Sequence, residues 1–127
     1  MDVKEVAVEG QFESHGATFP LILECQDRSV SLEETSNWVQ ERAAELNEKA
    51  FQHGAILFRG FPLADANDFD AFIRACGYPN FKYEESLSNA VRVVKTERVF
   101  TANEAPSDVT IFLHHEMAQT PIYPSKL

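Results

Sequence analysis

His114 and Glu116, an imidazole and a carboxylate two residues apart, are the side chains whose types and spacing best suit chemistry in this chain. On an extended strand, residues i and i+2 project to the same side, with Cβ atoms about 7 Å apart. From that separation both arms can converge on one cation at bond lengths of about 2.1 Å. A second, distant histidine would complete a facial triad, the ligand set that holds Fe(II) with its opposite face open. The spacing alone is a weak signal, since H-x-D/E arises by chance in about one chain in three of this length. The plain alternative is a charged strand end, hydrated or internally paired.

The neighbours sharpen the picture. His115 points to the face opposite His114 and Glu116, where it can orient the motif by hydrogen bonding or simply pack. Thr110 and Phe112 share the ligand face; Thr110 is a candidate substrate contact, and Phe112 is expected to pack. Arg92, Arg98 and Asn103 can also reach a substrate, although surface or turn roles are the expectation. A zinc-protease reading of His115-Glu116-Met117-Ala118-Gln119 fails, because Gln119 stands where H-E-x-x-H needs its second histidine.

Several elements must position these groups. Val109–Glu116 alternates as a strand, with Val109, Ile111 and Leu113 on one face. Before it, Ala90–Lys95 and Arg98–Thr101 read as Val-rich strands, and Asn103–Asp108 reads as a loop. Further upstream, Ser31-Leu32-Glu33-Glu34 is a capping box opening one long helix. Leu32, Val39, Ala43, Leu46 and Ala50 line its apolar face, and Gly54 is its stop. Ala55–Phe58 predicts a strand buried on both faces. Asp65 or Asn67 caps a second helix carrying Phe69, Phe72, Ile73 and Cys76, which ends at Gly77 and Pro79. Phe19–Leu23 is a short apolar run, read as an early strand or an extended segment. The class implied is α+β: two helices packed on a mainly antiparallel sheet.

Composition bounds the function. The 127 residues are 44% hydrophobic and 24% charged, within the range of ordinary globular domains. A net charge of −9 without a basic cluster disfavours nucleic acid and anionic membrane surfaces as partners. No apolar run is long enough to span a bilayer, and Met1–Glu5 does not open a secretory signal. An intracellular, cytoplasmic location follows as the expectation. Cys25 and Cys76 are far apart and are expected to be buried free thiols.

Three blocks carry a resemblance: Arg98–Glu104, Phe112–Gln119 and Tyr123–Leu127, preceded by His53-Gly54-Ala55-Ile56-Leu57-Phe58-Arg59-Gly60-Phe61. In combination and order they resemble the clavaminate synthase-like branch of the TauD/TfdA dioxygenases. That resemblance implies a double-stranded β-helix (jelly roll), of which residues 1–127 would be an incomplete domain lacking the C-terminal half of the barrel. It also implies His114 and Glu116 as iron ligands, Fe(II) as cofactor and 2-oxoglutarate as co-substrate. The reaction implied couples 2-oxoglutarate decarboxylation to oxidation of a small-molecule substrate. The family's distal histidine ligand and its 2-oxoglutarate-binding arginine lie C-terminal of the motif. The eleven residues after Glu116 include neither His nor Arg, and His15 and His53 precede the motif. The alternative implied is a truncated, non-catalytic binding or regulatory module, able to associate with a full-length paralogue.

Overall fold

The computed structural model describes the chain except residues 87–90, 103, 118, 119 and 127, together with the side chains of Glu84 and Glu85. Of the sequence expectations, Ala90, Asn103, Ala118 and Gln119 therefore lie outside the described residues. The chain divides into two units, Met1–Tyr78 and Pro79–Leu127.

The first unit is built around the strand that Phe19–Leu23 foreshadowed. Strands β1 (Val3–Glu5), β2 (Phe12–Ser14), β3 (Ala17–Phe19) and β4 (Leu21–Cys25) come first. They are followed by helices α1 (Leu32–Glu41) and α2 (Ala43–His53), strand β5 (Ile56–Arg59) and helix α3 (Ala66–Ala75). β4 is central in a sheet of order β1-β4-β5. It pairs antiparallel with β1 (Val3 opposite Cys25) and parallel with β5 (Leu21 opposite Ile56). A parallel pair needs a crossover, and α1 and α2 provide it. The sheet is therefore mixed rather than mainly antiparallel. β2 and β3 form a separate hairpin whose two turn residues, His15 and Gly16, both have positive φ (52° and 82°), the geometry of a type I′ turn.

α1 begins as its capping box dictates: the Ser31 hydroxyl accepts from Glu34 N at 3.2 Å, and Glu34 Oε2 accepts from Ser31 N at 2.8 Å. The single helix expected over this stretch is instead broken at Arg42, whose φ/ψ of −113°/9° leaves the helical region. No Gly or Pro marks the break. The Arg42 guanidinium lies 5.1 Å from the Trp38 ring centroid and donates to Trp38 O and to Glu41, so side-chain packing accompanies the kink. Gly54, at φ +76°, ends α2 as expected. Asp65 caps α3 by accepting from Asn67 N at 2.7 Å and Asp68 N at 3.0 Å. Three α-helices thus replace the two predicted.

Leu21, Leu23, Val39, Leu46 and Phe72 form the core, with Trp38, Phe58 and Phe61 packed against it. Phe58, Phe61 and Phe72 meet edge to face at centroid separations of 5.0–5.9 Å, the arrangement the aromatic quadrupole favours. β5 departs from the strand buried on both faces: it alternates, and Leu57 is 45% exposed. The reason is that only one face of β5 is covered: Ile56 and Phe58 pack against the core, while Leu57 and Arg59 share the open face. Both cysteines are free, Cys25 buried and Cys76 half-buried. Burial raises the Cys76 thiol above its ordinary pKa. Among the described residues, no helix is long and apolar enough to cross a membrane.

The second unit is more sparsely built. A short 3-10 turn at Tyr83–Ser86 precedes two arms joined by the Val94–Phe100 bridge. Backbone bonds from Lys95 N to Val99 O (2.9 Å), Thr101 N to Val93 O (2.9 Å) and Glu104 N to Val91 O (3.0 Å) hold the arms antiparallel. The two Val-rich strands are thus reduced to a loose ribbon. Val109–His115 forms no strand, contrary to its alternation. Alternation describes a face that a sheet would cover, and among the described residues nothing pairs with this segment. Its apolar side chains stand open accordingly, with Phe112 80% exposed rather than packed.

Candidate metal centre

The candidate site belongs to the second unit and is anchored from its ribbon. Val93 N donates to Thr101 Oγ1 at 2.9 Å, which fixes the backbone next to Arg92. The Arg92 guanidinium lies 5.0 Å from the Tyr83 ring centroid, and Tyr83 in turn packs against Phe100 at 5.7 Å. Arg92 Nη1 donates to Thr101 O at 3.3 Å, and Nη2 forms an ion pair with Glu116 Oε1. Both members are largely covered, Arg92 16% and Glu116 28% exposed at the side chain. Burial works against the guanidinium's charge, but Tyr83 and Glu116 together outweigh it and hold Arg92 above its ordinary pKa.

Glu116 sits in a tight turn. Met117 follows at φ +56°, a left-handed conformation unfavourable for a side chain of its size, and is nevertheless buried. Thr120 closes the turn: its N–H and its hydroxyl both donate to Met117 O, at 3.0 and 3.1 Å. The Thr120 hydroxyl also lies 2.7 Å from Ile122 O.

His114 is exposed, with Nδ1 2.7 Å from Phe112 O. A carbonyl only accepts, so Nδ1 carries the hydrogen in that contact. In the neutral ring the lone pair then falls on Nε2, the form in which histidine binds a metal. His115 Nδ1 contacts Glu116 O at 3.0 Å, and its ring meets Tyr123 edge-on at 6.2 Å. Thr110, the candidate substrate contact, is exposed. Among the described residues, no cluster of three or more His, Cys, Asp or Glu is arranged to hold a metal ion.

One imidazole nitrogen, Nε2, and one carboxylate oxygen, Oε2, are left by these contacts, donor types that a borderline divalent cation such as Fe(II) accepts, but the extended strand that would aim both at one point does not form. The spacing argument named two candidate ligands on the premise of a strand, which does not form here, and it did not foresee the contact with Arg92. The Arg92–Glu116 pair joins residues 24 apart in sequence, and the only local hint was an arginine within a Val-rich arm.

Comparison with known proteins bears on the same residues. The family model described as taurine catabolism dioxygenase TauD, TfdA family, matches residues 17–127. A clavaminate synthase-like protein of Arabidopsis thaliana is 34% identical over 128 aligned residues, which cover 97% of this chain and 38% of that protein. The chain thus spans well under half the length of this curated relative. With both units represented in the family match and His114 and Glu116 inside it, the chain belongs to the TauD/TfdA dioxygenase family.

Proposed function

We propose that this chain forms the N-terminal part of a non-haem Fe(II)/2-oxoglutarate dioxygenase and contributes His114 and Glu116 to its iron centre. The observation carrying this reading is the His114 contact, which commits Nδ1 to a backbone carbonyl and turns the metal-binding nitrogen outward. Glu116 offers its second carboxylate oxygen from a side chain already held by Arg92. Fe(II) would supply the oxidative chemistry, coupling decarboxylation of 2-oxoglutarate to oxidation of a small-molecule substrate. The protein's part is to fix donor type and direction and to keep coordination positions open. Thr110 is the substrate contact within this proposal. In this reading the exposed Val109–Leu113 segment, which forms no strand in this chain, would pair as a strand of the family's jelly roll and cover its apolar face once partner strands are present.

That same exposed segment supports a second reading, in which the chain is a non-catalytic module that associates with a full-length paralogue. Anaerobic Fe(II) titration followed by a 2-oxoglutarate-to-succinate assay separates the two. The dioxygenase reading expects Fe(II) binding that His114→Ala weakens and, in a full-length protein carrying this segment, succinate formation that depends on His114. Iron binding indifferent to His114→Ala would sink the metal assignment. Iron binding by a full-length protein that forms no succinate, even with substrate mixtures, would favour the module.

A further inference from the structure

We propose that the Arg92–Glu116 ion pair is a latch: it holds residues 109–116 as an exposed strap, and opening it frees them to run on as the extended strand their alternation encodes. The proposal stands on contacts within the second unit and needs no bound cation.

Among the described residues, the strap is fastened at its ends. Val109 N donates to Pro106 O at 3.0 Å, and Glu116 meets Arg92. Between these anchors every residue from Thr110 to His115 is exposed, fully so at Leu113. Within the span, His114 Nδ1 donates to Phe112 O at 2.7 Å, which takes up a carbonyl that a strand would offer to its neighbour. The present form of the strap therefore depends on its anchors.

The anchor at Glu116 joins a rigid arm to a strained turn. Arg92 takes its direction from the ribbon, with its guanidinium 5.0 Å from the Tyr83 ring centroid and Nη1 donating to Thr101 O at 3.3 Å. Met117, next to Glu116, has a φ of +56°. A long side chain persists in that region where its surroundings over-determine it. Three contacts do so here. The Met117 side chain is 4% exposed, the Thr120 N–H and hydroxyl both donate to Met117 O, and the ion pair ties the preceding residue to the ribbon. An extended chain at Met117 cannot close the Thr120 turn, so the latched and the extended forms exclude each other.

The test is solution NMR on the 127-residue chain and on Glu116→Gln, which keeps the side chain's shape without its charge. The φ at Met117 is read from its amide coupling and carbon shifts, and turn closure from exchange of the Thr120 amide. Glu116→Gln is expected to speed Thr120 exchange by about tenfold and to move Met117 towards extended values, with the Thr101 amide unchanged. Arg92→Ala should speed Thr120 to a similar extent, and Arg92→Lys should recover part of the loss. In the Glu116→Gln background Arg92→Ala should speed Thr120 no further, because the latch is already open. Equal acceleration in both backgrounds would mean that Arg92 supports the ribbon alone, and would overturn the proposal. Thr120 exchange as slow as in the wild type would overturn it too, by showing that the turn holds itself. So would faster exchange with Met117 still left-handed, since the pair would then steady the turn without switching it. If Glu116→Gln also frees Thr101, the deciding measurement is the wild type at raised ionic strength. There Thr120 exchange should quicken while Thr101 holds, and a Thr120 rate indifferent to salt would overturn the latch.

Discussion

Each of the two units of this protein is held together internally by a different means. Met1–Tyr78 contains every α-helix and β-strand assigned among the described residues, and its core of Leu21, Leu23, Val39, Leu46 and Phe72 is apolar. Among the described residues, Pro79–Leu127 shows one β-bridge, a 3-10 turn and a charged pair, Arg92–Glu116, where a core might have been. Its buried residues include Ser86, Met117 and Thr120, two of them polar. Non-directional burial tolerates small displacements, whereas an ion pair and a hydrogen-bonded turn demand particular geometry. The candidate ligands lie in the unit where directional contacts dominate. A metal ligand must be aimed, and aiming is what such contacts do.

Substitutions can break or sharpen that contrast. The largest effect is expected at Phe72, which is 4% exposed and meets both Phe58 and Phe61. Phe72→Ala should cost about 3–5 kcal/mol, read as a lowered urea midpoint for the first unit. Arg92→Ala should cost about 1–2 kcal/mol, a charged hydrogen bond discounted for partial exposure. Its signature should be faster hydrogen exchange at the Thr101 amide, with the amides of β4 unchanged. Comparable loosening of β4 would mean that the units are not energetically distinct. Ser31→Ala removes half of a capping box and should cost about 1 kcal/mol, seen as a lower thermal midpoint.

A smaller effect comes from Asp65. Accepting from the Asp68 and Asn67 amides lowers its carboxyl below the ordinary 3.8. A depressed pKa means that this stabilisation is fully present above pH 3.8 and is lost as pH falls through the folded value. Asp65→Asn keeps a neutral cap, so the wild type's margin over it should shrink below pH 3.8 in an acid melting series. A margin independent of pH would show that the carboxylate's charge does not act there. Phe51, 91% exposed on α2, should be nearly silent: Phe51→Ser should move stability by no more than about 0.5 kcal/mol.

Legibility followed the same division. Ser31, Gly54 and Asp65 act through bonds or dihedrals within a few residues of themselves, and all three ends stand where the pattern predicts. The break at Arg42 was not readable, because it goes with the stacking of one side chain on Trp38 rather than with a breaking residue. Val109–His115 shows the opposite failure. Its alternation records which face a sheet would cover, but a strand exists only with a hydrogen-bonding neighbour, and periodicity does not supply one.

The site divides in the same way. By itself the sequence determined the types and order of the candidate donors: an imidazole at His114 and a carboxylate at Glu116, in blocks matching the TauD/TfdA family. Those are properties of composition and spacing, which survive any rearrangement of the chain. Only the tertiary structure decided how each donor is held. Nδ1 of His114 is bound to Phe112 O, and Glu116 is held through one oxygen by an arginine 24 residues upstream. Which guanidinium a carboxylate meets depends on where a residue distant in sequence comes to rest, and no local pattern encodes that.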